Sequence, residues 1–344
     1  MYYISKNYKA LFSAAGKAKT DYEFALESDG FKNLGFKQSS IPNSFIGAVK
    51  NFFGISLALI RLPFKATLCT QYPINKYRKY ILFVANLKKC KIITLVHDVR
   101  FLRGRTEDRA AELKNICTSG GVIVHNPTMK QWLVNQGVDA KIAVLELFDY
   151  ISETRPSQND KKSTGEKYVL TYAGGFSDER GKYIYDFDTL NLEHYSLNLY
   201  GKGFNETKVK VDDSISILNY KGFFPSKEIA HKIKGDFGLV WDGISLDTCD
   251  GQYGEYLKFN NPHKTSLYIL SGLPVVIWSE AALAPFIKDN NLGVCVASLK
   301  DLDEVLGKMT KEDYLLLKKS VLEYQKKVMS GYFFKKATKY LIEK

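Results

Sequence analysis

Residues 260–278 read Asn260-Asn261-Pro262-His263-Lys264-Thr265-Ser266-Leu267-Tyr268-Ile269-Leu270-Ser271-Gly272-Leu273-Pro274-Val275-Val276-Ile277-Trp278. A polar loop leads into a helix over 262–271. Gly272 ends that helix, as glycine commonly does. Pro274 then opens an apolar, β-branched strand. Helix, tight turn and buried strand make one step of an α/β alternation, and the same step repeats on both sides. Ahead of it, strands are expected at 168–172, 197–200, 215–218 and 236–241. In the first half, strands at 67–72, 91–97, 121–125 and 140–147 alternate with helices at 77–89, 106–117 and 127–136. Thr106 and Glu107 suit the start of the second helix. This spacing implies βαβ units and parallel sheets.

Between the halves, 149–167 breaks the pattern with Pro156, Ser157, Asn159, Asp160 and Gly165. It reads as an interdomain linker. The expected organisation is an α/β domain over 1–150, a second over 167–325, and a C-terminal helix over 326–344 packing back on the first. A chain of 344 residues has room for two such domains.

Composition narrows the function classes. The five cysteines are scattered and never at CxxC spacing, so neither structural zinc nor a disulfide framework is expected. A reducing cytoplasm fits them. Met1-Tyr2-Tyr3-Ile4-Ser5-Lys6 shows no signal-peptide pattern, and the apolar run 52–62 is closed off too early to span a bilayer. The net charge of +12 attracts anions: nucleic acid, acidic lipid or phosphorylated small molecules. No nucleic-acid motif accompanies it. Lysines and arginines mixed with aromatics suit a peripheral membrane contact.

In a parallel sheet, ligands sit beyond the carboxyl ends of the strands. Helix starts there offer free N–H groups and a positive dipole end to a diphosphate. Lys264 lies in such a first turn, flanked by Asn261, His263 and Ser266. The stretch resembles the donor-binding signature P-x-K-x-x-x-Y-x-x-x-G-x-P-V of GT-B glycosyltransferases, matching at Pro262, Lys264, Tyr268, Gly272, Pro274 and Val275. Its Asn-Asn-Pro-His-Lys form resembles a narrower bacterial group. That group contains β-1,6-galactofuranosyltransferases of O-antigen synthesis and glucosyltransferases that extend sugars on serine-rich adhesins.

The resemblance implies two Rossmann-like domains whose parallel sheets face across a cleft, with the acceptor on the first and a nucleotide sugar on the second. It implies donor contacts at Gly174 and Gly175 after the 168–172 strand, Arg180 or Lys182 just beyond, Asp242 after another strand, and Tyr220 and Phe223, or else Phe224, near the nucleotide base. Ser13-Ala14-Ala15-Gly16 resembles the family's first loop, where Gly16 leaves room for the transferred sugar. An inverting transfer needs a group to take the acceptor proton. Asp98, or else His97, ends a first-domain strand and is placed for that. His125 ends the next and is a further candidate ligand or base lining the same cleft.

Asp247, Asp250 and Glu255 fit no calcium loop and no DxD motif, so neither metal nor cofactor is expected. The loop 245–256 that carries them reads as a flexible cover or an acceptor contact. The functional expectation is a cytoplasmic hexosyltransferase at the inner face of the membrane. It would use UDP-galactofuranose, or second UDP-glucose, on a glycan acceptor held by a lipid or protein carrier in surface polysaccharide, O-antigen, capsule or glycoprotein synthesis. A homo-oligomer is compatible. A nucleotide-sugar epimerase and a non-catalytic GT-B-like partner protein are the alternatives.

Overall fold

The computed structural model describes residues 1–8, 13–74, 76–156, 167–190, 192–209 and 217–343. The chain forms two compact units, Met1–Ile151 with Ser330–Lys344, and Ser152–Met329. Each is built on one six-stranded parallel sheet.

The first sheet contains β1 (Tyr2–Tyr3), β2 (Lys32–Asn33), β3 (Thr67–Tyr72), β4 (Lys91–Val96), β5 (Gly121–Val124) and β6 (Ile142–Val144), in the order β2-β1-β3-β4-β5-β6. β4 is buried from Ile92 to Val96, which is why it reads as a continuous apolar run. Val96, Val122, Met129 and Leu133 pack in one cluster of the core. Ile55, Leu59, Ile81 and Ile92 pack in another. The helix expected at 106–117 starts later, at Arg109–Ile116, because Asp108 caps it by accepting from the Ala111 N–H at 2.8 Å. The apolar run 52–62 belongs to the longer helix Ser44–Arg61, which Asn43 caps by accepting from the Phe45 and Ile46 N–H groups.

The tail forms two helices, Lys311–Ser330 and Tyr332–Ile342, parted at Gly331 with φ of +78°. The second packs on the helix Ala14–Ser28 and on β5 and β6. The buried Asp149 carboxylate accepts the Phe333 and Phe334 N–H groups at 3.2 and 2.7 Å. Asp149 therefore holds a helix start rather than opening a linker, a role composition could not reveal. Residues 157–166 of the expected linker lie outside the described residues.

The second sheet contains β7 (Tyr168–Ala173), β8 (Tyr195–Tyr200), β9 (Leu218–Tyr220), β10 (Phe237–Val240), β11 (Val275–Trp278) and β12 (Gly293–Val296), in the order β12-β11-β10-β7-β8-β9. The strand expected at 215–218 lies later, at Leu218–Tyr220, and residues 215 and 216 are outside the described residues. The order reverses between β7 and β10, the position where open α/β sheets leave a crevice.

Two glycines let the layers close. A Cβ on Gly238 would lie 2.1 Å from the Tyr268 ring, so the signature tyrosine packs directly against β10. Its hydroxyl accepts the Ala173 N–H at 2.7 Å and steadies the end of β7. A Cβ on Gly201 would lie 1.7 Å from the Gly174 carbonyl oxygen, at a φ of +144°. Gly201→Ala is expected to cost about 3 kcal/mol in stability, read from the urea midpoint. An unchanged midpoint would contradict this close approach.

Candidate active site

The ends of β7 and β10 bring Gly174, Gly175, Trp241 and Asp242 to the switch point of the second sheet. The helix His263–Leu270 adds Lys264 from its first turn. Asp242 is buried, and its Oδ1 accepts from Arg180 Nε at 2.9 Å and from Lys264 Nζ at 3.0 Å. Lys264 Nζ also donates to the Trp241 carbonyl at 3.1 Å and lies 4.7 Å from the Tyr172 ring centre. Burial pushes the Asp242 carboxyl up, but the Lys264 ammonium and then the Arg180 guanidinium outweigh it and hold the group below the ordinary carboxylate range. Burial pulls the Lys264 ammonium down, with Asp242 opposing.

Lys264 thus does not present an open charge to solvent, as its first-turn position suggests. Its side chain is 9% exposed and committed to Asp242. Two cations and one anion leave the cluster a net positive charge, and Arg180, 37% exposed, is where it meets solvent. The Tyr253 ring lies 4.8 Å from the guanidinium. Beside it, a Cβ on Gly175 would meet nothing within 4 Å, so the loop after β7 leaves open space. Asn261 and Ser266 are buried and His263 is half-buried, so these three are set inside the loop and helix rather than on the surface.

Tyr220 ends β9 and Phe223 follows it. Tyr220 stacks on Phe204 at 4.8 Å and donates to the Gly201 carbonyl at 2.9 Å. Phe223 is 47% exposed, with Lys202 Nζ 4.2 Å from its ring centre. An exposed ring paired with a cation is a surface on which a base can stack. The stretch 245–256 is no open cover. Asp250 Oδ1 accepts the Ile244 N–H at 2.8 Å, and Gly251–Leu257 is a helix with Tyr256 buried.

In the first unit, β4 runs out into His97 and Asp98. Asp98 Oδ2 accepts from Arg103 Nη1 at 2.8 Å and keeps its side chain one-third exposed. His97 Nε2 lies 2.6 Å from Gln71 Oε1. The Gln71 amide nitrogen donates to the Tyr8 hydroxyl and the Lys19 carbonyl, so its oxygen accepts and His97 Nε2 carries the proton. Gly16 is not in a loop. It lies in the first turn of Ala14–Ser28, where its N–H donates to the capping Ser13 Oγ at 3.1 Å.

His125 is fully buried and lies 3.0 Å from the Val96 carbonyl, to which its Nε2–H donates. Burial lowers its pKa from 6.5 to about 4, so the ring is neutral at neutral pH, and it is burial and the bond to Val96, not charge, that set it apart from an acceptor hydroxyl. The folded value lies below the unfolded one, so this contribution to stability is complete above pH 6.5 and fades as pH falls towards 4. Wild type is expected to lose about 3 kcal/mol through this group across that window, a slope that His125→Asn removes in urea titrations at each pH.

Comparison with known proteins follows the same outline. The model described as "Glucosyltransferase 3-like, C-terminal domain" matches residues 170–341, and that for the N-terminal domain matches residues 1–147. This chain belongs to the glucosyltransferase 3-like family. It is a glycosyltransferase of GT-B fold. Among its relatives is Beta-1,6-galactofuranosyltransferase WbbI of Escherichia coli (strain K12), 31% identical over 100% of this chain and 98% of the relative. Glucosyltransferase 3 of Streptococcus gordonii is 27% identical over 74% of this chain and 72% of the relative. In fold, the apo form of the lipopolysaccharide outer core galactosyltransferase WaaB superposes with a TM-score of 0.62, covering 99% of this chain and 98% of that one at 12% identity.

Within this glucosyltransferase 3-like chain, sequence reasoning missed the aromatic partners Tyr172, Tyr253 and Phe204. Their signal is only a high aromatic content, which does not say which ring meets which cation. Among the described residues, no three His, Cys, Asp or Glu side chains are grouped as metal ligands.

Proposed function

We propose that this glycosyltransferase moves a hexosyl group from a UDP-sugar to a glycan hydroxyl by a single inverting displacement. The net-positive cluster of Arg180, Lys264 and Asp242 at the switch point carries the reading. The diphosphate lies against Arg180, the Gly175 N–H and the N–H groups of the His263 helix start, with Lys264 behind them. Asp242 keeps both cations aimed before the donor arrives, so little reorganisation accompanies departure of UDP. Tyr220 and Phe223 face the base. Asn260 Oδ1, shielded and without a partner among the described residues, accepts from a sugar hydroxyl. Asp98 takes the acceptor proton, with His97 as the second candidate.

Names of relatives support the donor order: UDP-galactofuranose first, UDP-glucose second. The acceptor is a glycan on a lipid or protein carrier, and the reaction runs on the cytoplasmic side. No divalent ion is needed, because protein cations carry the leaving-group charge. Thermal-shift measurement against UDP, GDP, ADP and CDP tests the donor class. UDP is expected to raise Tm by several degrees, with the others near baseline. Equal shifts for all four, or none, would count against a UDP donor. With EDTA present, turnover of the preferred UDP-sugar is expected to stay within about twofold of the untreated rate. Loss of activity restored by added Mg²⁺ would reject the metal-free mechanism.

A further inference from the structure

Between Gly30 and His97 lie 68 residues with 11 Lys or Arg and no Asp or Glu. The other 276 residues hold 38 basic and 37 acidic side chains, so almost all of the net +12 charge comes from this one segment. The same segment supplies 11 of the 21 large apolar side chains that are exposed among the described residues. Excess positive charge and exposed apolar surface therefore coincide.

Two helices carry nine of the eleven exposed apolar side chains. In Ser44–Arg61, Gly47, Gly54, Ile55, Ala58 and Leu59 are buried in the first unit. On the opposite face, Ile46, Val49, Phe53 and Ile60 recur at helical spacing and are exposed, with Phe45 78% exposed beside them. The helix Arg78–Leu87 packs alongside, Tyr77 donating to the Ala48 carbonyl at 2.9 Å, and turns Phe83 and Leu87 outward at 69% exposure each. Lys88 joins the two at one corner. Its Nζ donates to the Leu59, Ile60 and Leu62 carbonyls at 2.7–3.0 Å and lies 5.7 Å from the ring centre of the exposed Phe64. Arg61, Lys65, Lys79 and Lys89 are exposed around this surface.

By length and composition Ser44–Arg61 could cross a membrane, but its inward face is already packed on the core. It therefore lies along a surface. We propose that this face docks the first unit on an anionic phospholipid bilayer, with the phenylalanines and isoleucines at the acyl boundary and the lysines and arginine against headgroup phosphates. A second copy is disfavoured as occupant, because a symmetric contact would set an acid-free cationic segment against itself.

The test is co-sedimentation of the full chain with phosphatidylcholine vesicles, with and without about a third phosphatidylglycerol. Each basic residue near an anionic surface is worth about fivefold, so at least about 100-fold tighter binding to the anionic vesicles is expected, weakening as salt is added. Phe53→Ser/Ile60→Ser is expected to weaken binding at least about tenfold, with an unchanged melting curve because both side chains are exposed. Lys79→Gln/Lys89→Gln, which touches no apolar contact, is expected to lose about 25-fold on anionic vesicles alone. Equal binding to neutral and anionic vesicles, or either variant binding like wild type, would overturn the proposal. So would a lipid-free dimer, seen by sedimentation velocity, that Phe53→Ser/Ile60→Ser dissociates, since the face would then belong to a second copy.

Discussion

Lys264→Met is expected to cost about 3–5 kcal/mol of folding stability and at least about 100-fold in kcat/KM for the donor. Two effects meet in that one side chain. Asp242 is buried and accepts from both Lys264 and Arg180. Removing the ammonium leaves a buried carboxylate with only the Arg180 guanidinium, 37% exposed, and a buried charge stripped of its buried partner costs far more than the intact pair contributes. The same ammonium backs the position proposed for the diphosphate. Asp242→Asn/Lys264→Met separates the two contributions. With no buried carboxylate left to strand, and Arg180 partly in solvent, most of the stability should return, while donor turnover stays low. A single variant as stable as wild type would contradict the buried-pair account. A double variant with wild-type turnover would show that the cluster is only structural.

Asp98→Asn is expected to lower kcat at least about 1,000-fold with UDP affinity and Tm unchanged. The substitution keeps shape and removes the proton acceptor. Asp98 lies in the first unit, partly exposed beside Arg103, so little packing depends on it. His97→Gln should cost less. His97 donates Nε2–H to Gln71, and that bond fixes its tautomer more readily than it frees the ring for catalysis. If His97→Gln proved the more damaging while Asp98→Asn retained turnover, the base would be reassigned to His97.

The fold was legible wherever strands are buried on both faces. β3, β4, β7 and β11 fall within a residue or two of their expected ends, because a fully covered parallel strand reads as an unbroken apolar run. β1 and β2 are two residues each and leave no periodic trace. Ser44–Arg61 is apolar on both faces, so its helical period is blurred and only its C-terminal part showed as a run. In the site, the residue types and their strand-end positions were readable, and their pairing was not. Nothing local announces that Asp242 reaches Arg180 and Lys264, which lie 62 and 22 residues away in the chain. Gly16 was misplaced for a related reason. Ser-Ala-Ala-Gly looks like a loop until Ser13 is seen to cap a helix. Asp149 likewise looked like a linker acid, because its partners Phe333 and Phe334 lie at the far end of the chain.

The most direct measurement is a crystal structure of the full chain with UDP. The account predicts pyrophosphate oxygens about 3 Å from the Arg180 guanidinium and from the N–H groups at Gly175 and the His263 helix start, with Asp242 still gripping Lys264 behind them. A nucleotide bound away from the β7–β10 switch point, with Arg180 untouched, would contradict it.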